Sequence, residues 1–124
     1  MERVPVILAI DDDPEMVGLI SMVLETEGFQ VVTAGGVFDG MKAIASAQPD
    51  IVLLDVMMPG VNGWQFCEAL RENESTAEIP VVFVTALGGI NDREAAERAG
   101  AAGYVTKPFA NDALVAEVRR HLSM

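Results

Sequence analysis

Short, unbroken apolar runs alternate along this chain with longer stretches whose apolar residues recur every three or four positions, and that alternation leaves few ways to fold. Val6 to Ile10 is the first run, Ile51 to Leu54 the clearest and Val81 to Val84, opened by Pro80, another; Gln30 to Thr33 and Tyr104-Val105 are shorter strand candidates. A run that is apolar at every position, rather than at every second one, is buried on both faces. Such strands belong to a parallel sheet with helices packed on each side.

The intervening segments carry helix signals. Asp13-Pro14 supplies an N-cap followed by proline at the first helical position, and the helix predicted from there, marked by Met16, Ile20 and Val23, stops near Gly28. A second helix is predicted over Val37 to Ala47 with Met41, Ile44 and Ala45 inward, and a third over Trp64 to Glu72 with Trp64, Cys67 and Leu70 at intervals of three. A fourth runs from Asn91 to Ala99, ending at Gly100. A fifth is capped by Asn111 and carries Leu114, Val115, Val118 and Leu122 inward. The adjacent glycines Gly88-Gly89 predict a mobile loop and a short or shifted fourth helix. Five strand–helix repeats with right-handed crossovers make a doubly wound α/β domain with a five-stranded parallel sheet, and 124 residues suffice for one such domain.

In that architecture ligands sit beyond the carboxyl ends of the strands, near the switch in strand order. Asp11-Asp12-Asp13, Asp55, Thr85 and Lys107 all follow or end predicted strands, so they converge on one edge. Eight Lys and Arg against nineteen Asp and Glu, a net charge of −11, argue against direct nucleic-acid binding. The single cysteine, Cys67, excludes an internal disulfide and fits a reducing cytoplasm. Val4 to Ile10 is too short for a membrane span, and the aspartates stop it at once. His121, the only histidine, lies near the end of the last helix, where a surface role accounts for it.

Four segments together resemble the response-regulator receiver domain of two-component signalling: Ala9-Ile10-Asp11-Asp12-Asp13-Pro14, Leu54-Asp55-Val56-Met57-Met58-Pro59-Gly60, Val84-Thr85-Ala86 and Tyr104-Val105-Thr106-Lys107-Pro108-Phe109. The spacing agrees too, since Thr85 and Lys107 follow Asp55 by 30 and 52 residues. The resemblance covers essentially residues 1–124 and implies the flavodoxin-like (βα)5 fold of the chemotaxis regulators.

It also implies roles. Asp55 would be the phosphoacceptor, its carboxylate taking a phosphoryl group from a phosphohistidine of a histidine kinase or histidine phosphotransfer protein. Asp12, Asp55 and the backbone carbonyl of Met57 would hold Mg²⁺ directly and Asp11 through water, because a carboxylate ringed by carboxylates repels an anionic donor unless a hard cation intervenes. Lys107 would set its ammonium against the phosphoryl oxygens, aimed by a cis Lys107-Pro108 bond. Thr85 would be the sensing hydroxyl and Tyr104 the aromatic that moves inward in response. The output would be a shift of the face made by the fourth helix, fifth strand and fifth helix, read by a downstream protein or a tethered effector. Asn62 stands where the family commonly has an aspartate.

Three alternatives remain open at this point. An Asp-nucleophile phosphatase or phosphotransferase would carry a second catalytic aspartate two residues after the first, where this chain has Met57. A phosphate-binding flavodoxin-like module would need a Gly, Ser or Thr-rich loop after the first strand, where three aspartates stand. A receiver-like interaction module that works without phosphorylation would keep the fold but accept no phosphoryl group.

Overall fold

The computed structural model describes residues 3–122, so Met1, Glu2, Ser123 and Met124 lie outside it. The apolar runs become β1 (Val6–Ile10), β3 (Ile51–Leu54) and β6 (Val81–Thr85), with β2 (Gln30–Ala34) and β7 (Gly103–Thr106) at the edges. All five pair in parallel in the order β2-β1-β3-β6-β7. The order reverses between β1 and β3, which is where a doubly wound sheet opens a crevice for a ligand. Every residue of the three central strands is buried, whereas in the edge strand β2 only Ala34 is.

The pleat divides the core in two. Leu8, Ile10, Val52, Leu54 and Phe83 face a cluster completed by Ile44, Phe66, Cys67, Leu70 and Ala96. Those partners come from α2 (Val37–Ala47), α3 (Gly63–Glu72) and α4 (Ile90–Arg98). Ile7, Ala9, Ile51, Leu53 and Val82 face the other side, against Ile20, Val23, Leu24, Leu114 and Val118 from α1 (Pro14–Thr26) and α5 (Asn111–His121). Each fully buried Leu, Ile or Phe contributes about 1.5–3 kcal/mol relative to exposure, so both layers are needed to offset chain entropy.

Asp13 caps α1 as predicted, its carboxylate accepting from the Glu15 N–H at 3.0 Å with Pro14 at the first helical position. Gly28, at φ +93°, turns the chain out of that helix through a conformation other residues resist. Two readings need correction. In α2 Met41 and Ala45 are exposed, and the inward stripe is Gly40 and Ile44. Gly40 lies so close to the sheet that a Cβ there would sit 2.7 Å from Ile10 Cδ1. A glycine makes an inward position that hydropathy does not mark, which rotated the predicted face by one residue. Asn111 is the first residue of α5 rather than its cap; Ala110 holds the cap position without a side-chain bond. The helix is anchored there by the Ala110 carbonyl, which accepts from the Ala113 and Leu114 amides. The fourth helix is short, at nine residues, and starts one residue before the predicted Asn91, with Asp92 Oδ2 accepting from the Gly89 N–H at 3.1 Å.

Between β3 and α3 the chain forms a small antiparallel hairpin, β4 (Met57–Met58) with β5 (Val61–Asn62), that the sequence did not mark. Asn62 then caps α3, accepting from the Trp64 N–H at 2.9 Å. Gly63, next in line, touches the chain behind Asp55: a Cβ would lie 2.7 Å from Val56 Cα and 2.9 Å from the Asp55 carbonyl oxygen. Backbone cannot yield as a side chain does, so Gly63→Ala is expected to cost about 1–3 kcal/mol, seen as a lower urea midpoint at unchanged m-value.

Cys67 is wholly buried, and burial, with Arg71 opposing and Glu68 adding, pushes its thiol up to about 11. The folded thiol thus keeps its proton where the unfolded one has lost it. Its contribution is complete below pH ~9 and lost as pH rises toward ~11, by up to about 2–3 kcal/mol. Urea titrations at pH 8 and 10.5 should show a larger alkaline loss in the wild-type chain than in Cys67→Ala.

Candidate functional site

The carboxyl ends of β1, β3, β6 and β7 bring Asp11, Asp12, Asp55, Thr85 and Lys107 to one edge of the sheet. Backbone bonds set the frame. The Asp11 N–H donates to the Ala34 carbonyl, the Asp55 N–H to that of Ile10, and the Lys107 N–H to that of Thr85 at 2.8 Å. Asp11, Asp55 and Lys107 therefore each extend the ladder one step past a strand, where side chains leave the packed core without losing backbone partners.

Asp11 and Asp55 are buried, and Asp12 is exposed. One carboxylate oxygen from each of the three lies within 4.8 Å of the others. Lys107 Nζ stands 2.6 Å from Asp11 Oδ2 and 3.2 Å from Asp55 Oδ2. Burial works against the lysine's charge, but the Asp11 hydrogen bond and the Asp55 charge outweigh it and hold the ammonium above its ordinary range. The Lys107-Pro108 bond is cis, as the resemblance implied. The remaining oxygens divide unequally. Asp11 Oδ1 accepts from the Asp13 N–H at 2.9 Å and Asp55 Oδ1 from the Met57 N–H at 3.3 Å, whereas Asp12 has no ion-pair or hydrogen-bond partner among the described residues.

Thr85 is 1% exposed, and its Oγ1 accepts from the Leu87 N–H at 3.3 Å. Tyr104, half-buried, donates from its hydroxyl to the Leu87 carbonyl and tilts against Phe83 at 6.4 Å between ring centroids. Burial, with the Asp92 charge nearby, raises the Tyr104 phenol above its ordinary range while Arg93 works against that shift. Beside the carboxylates a groove of about 740 Å³ is lined by Asp12, Met57, Met58, Pro59, Trp64 and Leu87, among others. Met57 is 62% exposed at its mouth.

Residues 7–119 match the family of response regulator receiver domains. The chain belongs to that family. Receivers are the phosphoacceptor domains of two-component response regulators. This receiver is 44% identical over 115 residues to the DNA-binding dual master transcriptional regulator RpaA of Synechocystis, spanning 93% of the chain and 48% of the relative. It superposes on the BeF3-activated receiver domain of Klebsiella pneumoniae RstA with a TM-score of 0.87 at 32% identity, covering 96% of this chain and 99% of that one. For the chemotaxis protein CheY4 of Vibrio cholerae the TM-score is 0.90 at 25% identity, over 95% and 98% of the two chains. The chain spans about half or less of the length of the curated relatives it matches.

Asp11, Asp12, Asp55, Thr85 and Lys107 lie at this edge with Met57 just beyond β3, whereas Tyr104 sits further back in β7, opposite Phe83, and Asp13 stays outside as a helix cap. Three features escaped sequence reasoning. The 57–62 hairpin and Gly63 contact leave no hydropathy signal, and Arg93, whose guanidinium carbon lies 4.9 Å over the Tyr104 ring, meets it only across the α4–β7 packing.

The donor set suits a hard divalent cation such as Mg²⁺: three carboxylates on one edge, with two negative charges left after Lys107 is counted. Asp12→Asn is expected to raise the stability of the metal-free chain by about 1 kcal/mol, because it removes like-charge repulsion. The same change should abolish most of the stabilisation that Mg²⁺ gives the wild type. Thermal unfolding with and without Mg²⁺ checks both signs.

Proposed function

We propose that residues 1–124 act as one phosphoacceptor unit in which Asp55 takes a phosphoryl group from a phosphohistidine of a histidine kinase or phosphotransfer protein. The observation that carries this reading is the Asp55 carboxylate held 3.2 Å from Lys107 Nζ beside two further carboxylates. Attack by a carboxylate oxygen of Asp55 on phosphorus, with the phosphohistidine nitrogen leaving, forms a mixed anhydride and needs the phosphoryl charge offset. Asp12, Asp55 and the Met57 carbonyl would hold Mg²⁺ directly. Asp11, whose two oxygens already accept from Asp13 and Lys107, would reach it through water. When bound, the ion supplies charge neutralisation at the phosphoryl oxygens.

The chain's own groups do the rest. Lys107 is preset between Asp11 and Asp55, so its ammonium meets an incoming phosphoryl oxygen without a large rearrangement. Thr85 already accepts one hydrogen bond, from Leu87, and its hydroxyl proton has no acceptor among the described residues. It is therefore free to donate to an oxygen in the site. Tyr104, bonded to the same Leu87, couples that hydroxyl to the face of α4, β7 and α5, where a downstream protein or a tethered effector would read the change. The protein would serve in the cytoplasm as a phosphoacceptor that gains and loses its own phosphoryl group rather than as a turnover enzyme. Among the described residues no helix is long and apolar enough to cross a membrane. The net charge of −11 keeps direct nucleic-acid contact out of the proposal.

Intact-mass analysis after incubation with acetyl phosphate tests the core of this. One phosphoryl adduct is expected on the wild type with Mg²⁺, and none without Mg²⁺ or on Asp55→Asn. An adduct that survives Asp55→Asn would place the chemistry elsewhere. Failure with both acetyl phosphate and the cognate kinase would leave an interaction module that works without phosphorylation.

A further inference from the structure

Arg93, an exposed residue of the first turns of α4, lies outside the phosphoacceptor cluster yet makes two contacts with β7. Its guanidinium sits 4.9 Å over the Tyr104 ring, and its Nη2 donates to Thr106 Oγ1 at 3.1 Å. The Tyr104 ring is thus flanked by Phe83 and by Arg93, with its hydroxyl donating to the Leu87 carbonyl. Leu87 donates in turn to Thr85 Oγ1. The turn between them packs closely on the same strand, since a Cβ on Gly88 would lie 3.0 Å from Thr106 Cγ2. These contacts form one unbroken path from a surface guanidinium to the buried hydroxyl of Thr85.

We propose that Arg93 is a positioning residue of the phosphoacceptor site: it holds Tyr104 on the Leu87 carbonyl and so keeps the Thr85 hydroxyl turned to donate to a phosphoryl oxygen. The proposal rests on the phosphoacceptor reading for its consequence, but its geometry does not. A planar cation is suited to the task. It covers the ring face with its plane and still directs an N–H at Thr106, whereas a lysine could supply the charge but not both contacts. Without Arg93, Tyr104 loses its outer cover and its hydroxyl can exchange the Leu87 carbonyl for water. The Thr85–Leu87 turn then samples arrangements in which the hydroxyl points elsewhere, and an anionic ligand must first restore the productive one.

Tyr104 is the only tyrosine in the chain, so fluorotyrosine incorporation gives a single fluorine resonance that reports on it alone. The spectrum is recorded for the wild type, Arg93→Ala and Arg93→Lys, each with native circular dichroism, and each is titrated with beryllofluoride in the presence of Mg²⁺. In Arg93→Ala the resonance is expected to move toward that of the urea-unfolded chain and the Leu87 amide to exchange faster. The half-saturating beryllofluoride concentration should rise about two- to fivefold. Arg93→Lys should recover part of each change. An unmoved Tyr104 resonance overturns the proposal, and so does a moved resonance with an unchanged titration midpoint. If the wild type takes up no beryllofluoride, the phosphoacceptor reading fails, and the Tyr104 resonance and Leu87 amide then decide by themselves whether Arg93 positions the turn.

Discussion

The ammonium of Lys107 ties together the ends of three strands, because it bonds Asp11 after β1 and Asp55 after β3 while its own backbone continues β7. Without that cation the edge would hold three carboxylates within 4.8 Å of one another and nothing to offset them. A parallel sheet makes the arrangement possible. All its strands end on the same side, and their buried middles leave the first residue past each end as the earliest position where a charge can stand. One positive group inside the acidic edge offsets part of its charge and leaves two negative charges over. The divalent cation proposed for this edge would be held through this imbalance rather than through any one aspartate.

Much of this was legible from the residues. The continuous apolar runs marked the central strands to within a residue, because burial on both faces demands them. Asp13-Pro14 marked the first helix because a cap followed by a proline has one common structural meaning. The four segments that carry the receiver resemblance pointed to the carboxyl edge of the sheet. What escaped shares one physical cause, namely contacts in which the decisive group is small or the partner is remote in sequence. Gly40 turned the inward face of α2 because a missing side chain registers as neither apolar nor polar. Ala110 replaced Asn111 at the start of α5 because backbone carbonyls can anchor a helix where no side chain does. Arg93 meets Tyr104 only through the packing of α4 on β7, and no periodicity within α4 announces such a contact.

The α4 segment is also where the protein invests least in packing. Only Ala96 of its nine residues is buried, and the turn before it is Leu87-Gly88-Gly89. Elements with few buried apolar contacts open at low free energy, so polar and cation–π contacts weigh more in setting their position than they would on α1 or α5.

The contact of Gly63 with the chain behind Asp55 gives the crevice two unlike walls. On one side, the backbone of Asp55 and Val56 is wedged against the start of α3 with no space for even a methyl group. On the other, Thr85 to Gly89 leads into a lightly anchored helix. A group added to Asp55 cannot push the first wall back, so any displacement it causes must travel through the second. On the proposed phosphoacceptor reading, the direction of the response would follow from this steric asymmetry, at a glycine that contributes no atom to the chemistry.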